Sequence, residues 1–142
     1  MPIRIDSQDS LSRVADYCHD AIFDAGEILY DSESMHFALP MTREMWEKAE
    51  KEYSFLFLHR FKVPRTRSVL TLYDVTDADI QVADVEDVLV DIQYDANENA
   101  ISFKCMKNTQ IRLEVEELRG RLEDTGECYF DGKAFTTLTL KP

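Results

Sequence analysis

Hydrophobic and polar positions alternate with two distinct periods along this chain, and the period changes mark its elements. From Leu11 to Ala25 the apolar residues Leu11, Val14, Ala15, Cys18, Ile22 and Ala25 recur at intervals of three and four. That spacing predicts an amphipathic helix with one buried stripe, capped by Asp9 or Ser10 and closed at Gly26. The period then drops to two. Ile28 and Tyr30, then Met35, Phe37 and Leu39, alternate around the polar turn Asp31-Ser32-Glu33-Ser34, which predicts a hairpin over 27–41. Pro40 should end its second strand or mark it as an edge, because proline cannot donate to a ladder. Thr42 then caps a short expected helix on Met45, Trp46 and Ala49, with Glu44/Lys48 and Glu47/Lys51 paired across one turn.

The stretch Tyr53–Tyr73 contains no Asp or Glu. Tyr53, Phe55, Phe57, His59, Phe61 and Val63 share one face of its first half. Leu56 and Leu58 lie on the other, which predicts a central strand covered on both sides. The second face turns basic at Arg60 and Lys62, so the tip at Val63-Pro64-Arg65-Thr66 should leave the core. The chain then returns through Val69–Tyr73 as the partner strand of a long hairpin. A polar passage with a short strand at Ile80 and Val82 follows. Val88–Tyr94 and Ala100–Cys105 form a further hairpin, with Asn99 suited to a left-handed position. Gln110–Val115 alternates and is expected to continue through Leu118, Gly120 and Leu122 after a bulge at Glu116-Glu117. Asp131-Gly132 signals a tight turn before the β-branched FTTLTL strand at 135–140.

These elements predict a β-rich α+β domain, with an antiparallel sheet of seven to nine mostly hairpin-linked strands covered by one or two helices. Residues 1–142 are the size of a single domain that buries roughly 70% of its unfolded surface. One internal echo stands out. Ile28-Leu29-Tyr30-Asp31 aligns with Ile92-Gln93-Tyr94-Asp95, and Phe37 and Leu39 with Ile101 and Phe103. Two uses of one hairpin type account for it, a duplicated half being the alternative.

Charge changes the picture more than composition does. The formal net charge is −12, with 28 acids against 16 bases, and no Lys or Arg occurs from Ser68 to Phe103. Nucleic acid and anionic membranes would be repelled at long range. No apolar run reaches the roughly 20 residues of a membrane span. The start MPIRIDSQDS lacks the basic-then-apolar layout of a secretory leader, which sets a cytoplasmic expectation. Cys18, Cys105 and Cys128 have no metal-ligand spacing and read as reduced, mostly buried thiols.

Arg60, Lys62, Arg65 and Arg67, with His59 beside them, form the one concentrated basic cluster and the candidate anion- or partner-binding site. Its plainer role is pairing with the protein's own acids. The acids from Asp74 to Glu98 do not match an EF-hand and read as solvated. Cys18 and His19 point about 100° apart on a helix and cannot address one atom. His36 and His59 have no zinc-site spacing, so no metal or cofactor is expected. The favoured function is a non-enzymatic binding protein acting through its charged surface, on a basic protein partner or by self-association. The alternative is an enzyme or small-ligand binder recruiting an anion at Arg60–Arg67.

Overall fold

The computed structural model describes residues 2–48, 50–55, 58–126 and 134–138, with side chains described for residues 2–45, 47–48 and 63–126. The helical stripe forms where its spacing predicts but stops early. Helix α1 spans Gln8–Cys18 and buries Leu11, Val14, Ala15 and Cys18. Its cap is Ser7 rather than Asp9 or Ser10: the Ser10 N–H donates to Ser7 Oγ at 3.2 Å and the Ser7 N–H to Ser10 Oγ at 3.0 Å. The helix expected to run to Ala25 ends because Asp20 turns left-handed at φ 65°. The Asp20 N–H then donates to Leu89 O at 2.8 Å. Strand pairing thus outcompetes the helical period at Ile22, and Gly26 lies in a 3-10 turn instead of a helix cap.

Thirteen strands are present among the described residues, and all their pairings are antiparallel. They are β1 (Ile3–Ile5), β2 (Ile22–Asp24), β3 (Leu29–Asp31), β4 (His36–Glu44), β5 (Glu50–Phe55), β6 (Leu58–Lys62), β7 (Arg65–Leu72), β8 (Val75–Gln81), β9 (Glu86–Asp95), β10 (Ala100–Cys105), β11 (Gln110–Val115), β12 (Gly120–Asp124) and β13 (Ala134–Leu138). Ten build one sheet in the order β1-β12-β7-β4-β2-β9-β10-β11-β8, with β3 added beside β4. The other three form a small sheet, β13-β6-β5. The β-rich α+β class read from the sequence is the class observed.

The central hairpin is not. Its first expected strand divides into β5 and β6, which pair with each other. Leu56 and Phe57 between them lie outside the described residues, as does the Asp131-Gly132 turn. The returning strand β7 belongs to the large sheet, between β4 and β12. Residues 63–64 are therefore a crossover between sheets, and Val63 is buried rather than leaving the core. The helix expected after Thr42 is also absent. β4 continues through Thr42, Arg43 and Glu44 because each finds a partner on β7, and only a 3-10 turn at Trp46–Lys48 remains. Pro40 sits inside β4 and not at its end, at a point where one side of the strand is locally an edge. β3 pairs with residues 36–38 and β2 with Thr42, so no strand faces Pro40 on that side. β12 does not continue β11 past a bulge; it crosses to pair with β7.

The internal echo extends well past one hairpin. In the first turn Asp31 accepts the Glu33 N–H at 3.0 Å, and in the second Asp95 accepts the Asn97 N–H at 2.9 Å. Met35 and Asn99 both close their turns left-handed, at φ 59° and 49°. The carbonyl of each accepts a valine N–H at 2.9 Å, from Val75 at the start of β8 in the first case and from Val115 at the end of β11 in the second. The strands that follow are then exchanged: β8, after β7, pairs with β11, while β12, after β11, pairs with β7. The echo therefore extends past one hairpin, through the turn chemistry and the exchanged pairing of β8 and β12.

The inward phases of both runs meet in one core with α1. Phe37 on β4 and Phe103 on β10 lie 5.6 Å apart, centroid to centroid. Leu39, Leu70, Leu72, Leu122, Ile101, Ile111 and Leu113 fill the space around them. Each such aliphatic side chain contributes about 1.5–3 kcal/mol by leaving water.

Candidate functional site

The strand plan separates the residues read from the sequence as one basic cluster. His59, Arg60 and Lys62 lie on β6 in the small sheet, with side chains outside the described set. Arg65 and Arg67 lie on β7 in the large sheet and meet the protein's own acids. Arg65 Nη2 donates to Glu44 Oε1 at 3.2 Å, directly across the β4–β7 register. Arg67 donates to Glu27 Oε2 at 2.9 Å and to Thr42 Oγ1 at 3.3 Å. The helical pairings expected for Glu44 and Glu47 are replaced: Glu44 meets Arg65, and Glu47 meets Arg43 at 2.8 Å.

The most elaborate polar cluster is buried, at the end of the inward stripe of β4, β7 and β12. Phe37, Leu39 and Met41 are followed in the same phase by Arg43, only 3% exposed. Ser68 and Asp124 end the matching stripes on β7 and β12 and face each other in register. Arg43 makes a two-point fork to Asp124, Nε to Oδ1 and Nη2 to Oδ2, both at 3.0 Å. Ser68 Oγ donates to Asp124 Oδ1 at 2.6 Å and accepts from Arg43 Nε at 3.2 Å. The Arg43 guanidinium carbon also stands 5.6 Å from the Tyr17 ring centroid. Burial pushes the Asp124 carboxyl up, but the Arg43 and Ser68 hydrogen bonds outweigh it and hold it below the usual carboxylate range. Burial lowers the guanidinium, but the Asp124 and Glu47 contacts outweigh that and keep Arg43 firmly charged. This cluster fastens three strands and α1; its signal in the sequence is an arginine in the buried phase of an alternating strand.

A second carboxylate, Asp87, is buried and held without a cation. It accepts the N–H groups of Lys107 at 2.8 Å and Thr109 at 3.1 Å, which fixes the turn between β10 and β11. Burial raises its pKa, but hydrogen bonds from the Thr109 hydroxyl and from the Lys107, Val88 and Thr109 amides together bring it below the ordinary value.

Cys18 and Cys105 are free and buried, and burial pushes both thiols up to about 12. A thiol so placed stays protonated and unreactive near neutrality. His19 turns away from Cys18, with Nδ1 at 2.8 Å from Val90 O. Cys128 lies outside the described residues. Among the described residues no group of three His, Cys, Asp or Glu side chains is arranged to hold a metal ion. No helix there is long and apolar enough to cross a membrane.

Two exposed surfaces complete the picture. One is the outward face of β1, β12 and β7, where Arg4, Arg119 and Arg121 stand around Tyr73 over a hollow of about 370 Å³. Gly120 permits this geometry: a Cβ there would lie 2.4 Å from Thr71 O, so β12 could not draw so close to β7. The other is β8, the last strand of the sheet order, with Asp77 and Asp79 exposed.

Fold and surface together define an antiparallel, β-rich α+β domain with an arginine-lined hollow beside β12 and exposed acids on β8. The chain belongs to the family of proteins of unknown function DUF2948, whose model matches residues 3–135. No curated protein and no solved structure matches it.

Proposed function

We propose that the protein is a non-enzymatic binding protein that takes a basic protein partner along the acidic end of its large sheet. The β8 edge carries this reading. Among the described residues β8 pairs only with β11, so its outer edge presents backbone donors and acceptors. Asp77 stands directly opposite Glu114 in register, a like-charge pair that a neighbouring cation relieves. In the sequence no Lys or Arg intervenes from Ser68 to Phe103, so β8 brings no cation of its own to this edge. Such an edge repels a second copy of itself and attracts a basic strand. Main-chain pairing then supplies affinity, and charge supplies selectivity and association rate. The same charge goes with a cytoplasmic setting away from nucleic acid and anionic membranes. The enzyme or small-ligand reading at Arg60–Arg67 stands second, because Arg65 and Arg67 are turned onto Glu44 and Glu27.

An extended Lys/Arg-rich peptide tests this. Its binding should shift the β8 amide resonances and weaken as salt rises, mainly through slower association. Asp77→Lys with Asp79→Lys should weaken it by about tenfold or more. Shifts confined to other strands, or binding indifferent to both salt and the substitutions, would remove the proposal.

A further inference from the structure

The arginine hollow beside β1 and β12 is built unlike the other cationic groups among the described residues. Arg4 on β1 and Arg121 on β12 are direct register partners, and like charges facing across an antiparallel pair repel. Arg119 immediately precedes β12 and lines the same hollow. Its backbone carbonyl accepts the Tyr73 N–H at 2.9 Å, and its guanidinium carbon lies 5.2 Å from the Tyr73 ring centroid. His36 meets the same ring edge-on at 4.9 Å. The three arginines approach carboxylates only singly: Arg4 to Asp6 at 3.8 Å, Arg119 to Asp74 at 3.5 Å and Arg121 to Glu123 at 3.2 Å. None makes the two-point fork that Arg43 makes with Asp124. Three arginines thus line one hollow beside a half-buried aromatic ring, which Arg119 covers, in a protein of net charge −12, and Arg4 and Arg121 face each other at a cost in repulsion.

We propose that this hollow binds a phosphate monoester with an apolar or aromatic body. A single carboxylate satisfies one arginine fork and carries one charge. A phosphate monoester near neutrality carries close to two charges and offers three acceptor oxygens, enough for three forks at once. The exposed flank of Tyr73, with Pro2 beside it, provides an apolar wall for the ester group. β1 and β8 are the two ends of the strand order, and the hollow takes its residues from β1, β12 and Tyr73 rather than from Asp77 and Asp79.

Phenyl phosphate, inorganic phosphate and benzoate are the probes, with calorimetry and thermal melting as readouts. Phenyl phosphate should bind one per chain and raise the melting temperature, more tightly than inorganic phosphate and more tightly than benzoate. Arg4→Gln and Arg121→Gln should each weaken it about tenfold, the loss of one charge-assisted contact. Arg112→Gln, which removes an arginine paired with Glu98 in the other half of the sheet, should not. Without ligand, Arg4→Gln and Arg121→Gln should melt no lower than the wild type, because a repulsion has been relieved. No response to millimolar phenyl phosphate would overturn the proposal, and so would equal binding by the variants. Unliganded variants that melt well below the wild type would show the arginines to be structural. Benzoate binding as tightly as phenyl phosphate would refute the phosphate assignment, and inorganic phosphate doing so would refute the role of Tyr73. Asp77→Lys with Asp79→Lys leaves this binding in place, so the two sites fail or survive separately.

Discussion

The strand runs β4–β7–β12 and β10–β11–β8 open on turns of one design, at Asp31–Met35 and Asp95–Asn99, and then differ in how they are held and charged. Between β10 and β11 the chain needs only a tight turn, and Asp87 fastens it by accepting backbone N–H groups. Between β4 and β7 the chain departs through β5 and β6 before returning, and no such turn exists to fasten. There the carboxylate is the half-buried Asp124, and Arg43 supplies its partner from the end of β4. A shared backbone plan therefore fixes which strands pair, while each half finds its own means of satisfying a carboxylate. The outward faces have diverged further: Arg4 faces Arg121 across β1 and β12, and Asp77 faces Glu114 across β8 and β11.

The sharpest break in this comparison is Arg43→Ala. It leaves Asp124 half-buried without its cation and frees β4 from β12, at an expected cost of about 3–5 kcal/mol. Urea unfolding measures it, and a loss under about 1 kcal/mol would mean that backbone pairing alone holds the first half. Arg43→Met combined with Asp124→Leu should recover most of the loss, because an apolar pair of similar volume leaves no charge stranded.

The equivalent cut in the second half is smaller. Asp87→Ala leaves the Lys107 and Thr109 amides without their acceptor, which costs about 1–3 kcal/mol. Asp87 also sets part of the acid limit. Its folded pKa lies below the unfolded value, so the unfolded chain binds more protons between the two. The stabilisation is complete above the unfolded value of about 4 and is lost as pH falls through the folded pKa. Asp124 acts in the same direction. Stability measured against pH should thus fall more gently below about pH 4 in Asp87→Asn than in the wild type. An unchanged slope would mean that Asp87 is not held ionised by its amides.

Much of this plan was legible where local pattern and tertiary pairing agree. The hairpins at 27–41 and 88–105, the left-handed Asn99 and the buried stripe of α1 follow from period and turn chemistry. Tyr53–Tyr73 misleads because alternation reports that a residue is in a strand and says nothing of its partner. β6 and β7 follow one another across Val63-Pro64 and yet belong to different sheets. Thr42–Lys48 misleads because its helical spacing is short, and the Thr42, Arg43 and Glu44 pairings with β7 override it. The basic cluster was visible as composition, but its separation needed the sheet order. The arginine hollow draws on Arg4, Arg119 and Arg121, which no local window contains.

The smallest effect tests whether the two turns are equivalent at their closing residue. Met35 and Asn99 occupy the same left-handed position, at φ 59° and 49°. Asparagine tolerates that region because its short amide bonds locally, whereas methionine has no such compensation. Asn99 gains in addition from the Tyr94 hydroxyl, which lies 3.1 Å from Asn99 Oδ1. Tyr30, the counterpart of Tyr94, sends its hydroxyl to Val75 O at 2.9 Å instead, so Met35 has no side-chain bond to lose. Met35→Asn should therefore stabilise the protein by up to about 1 kcal/mol through relief of backbone strain. Asn99→Met should destabilise it, by that strain plus the roughly 0.5–1.5 kcal/mol of the lost hydrogen bond. Opposite signs in paired thermal melts would establish that the turns share one backbone design. If Met35→Asn instead lowered stability by more than about 1 kcal/mol, the half-buried methionine would be held by its packing, and the turns would be alike only in outline.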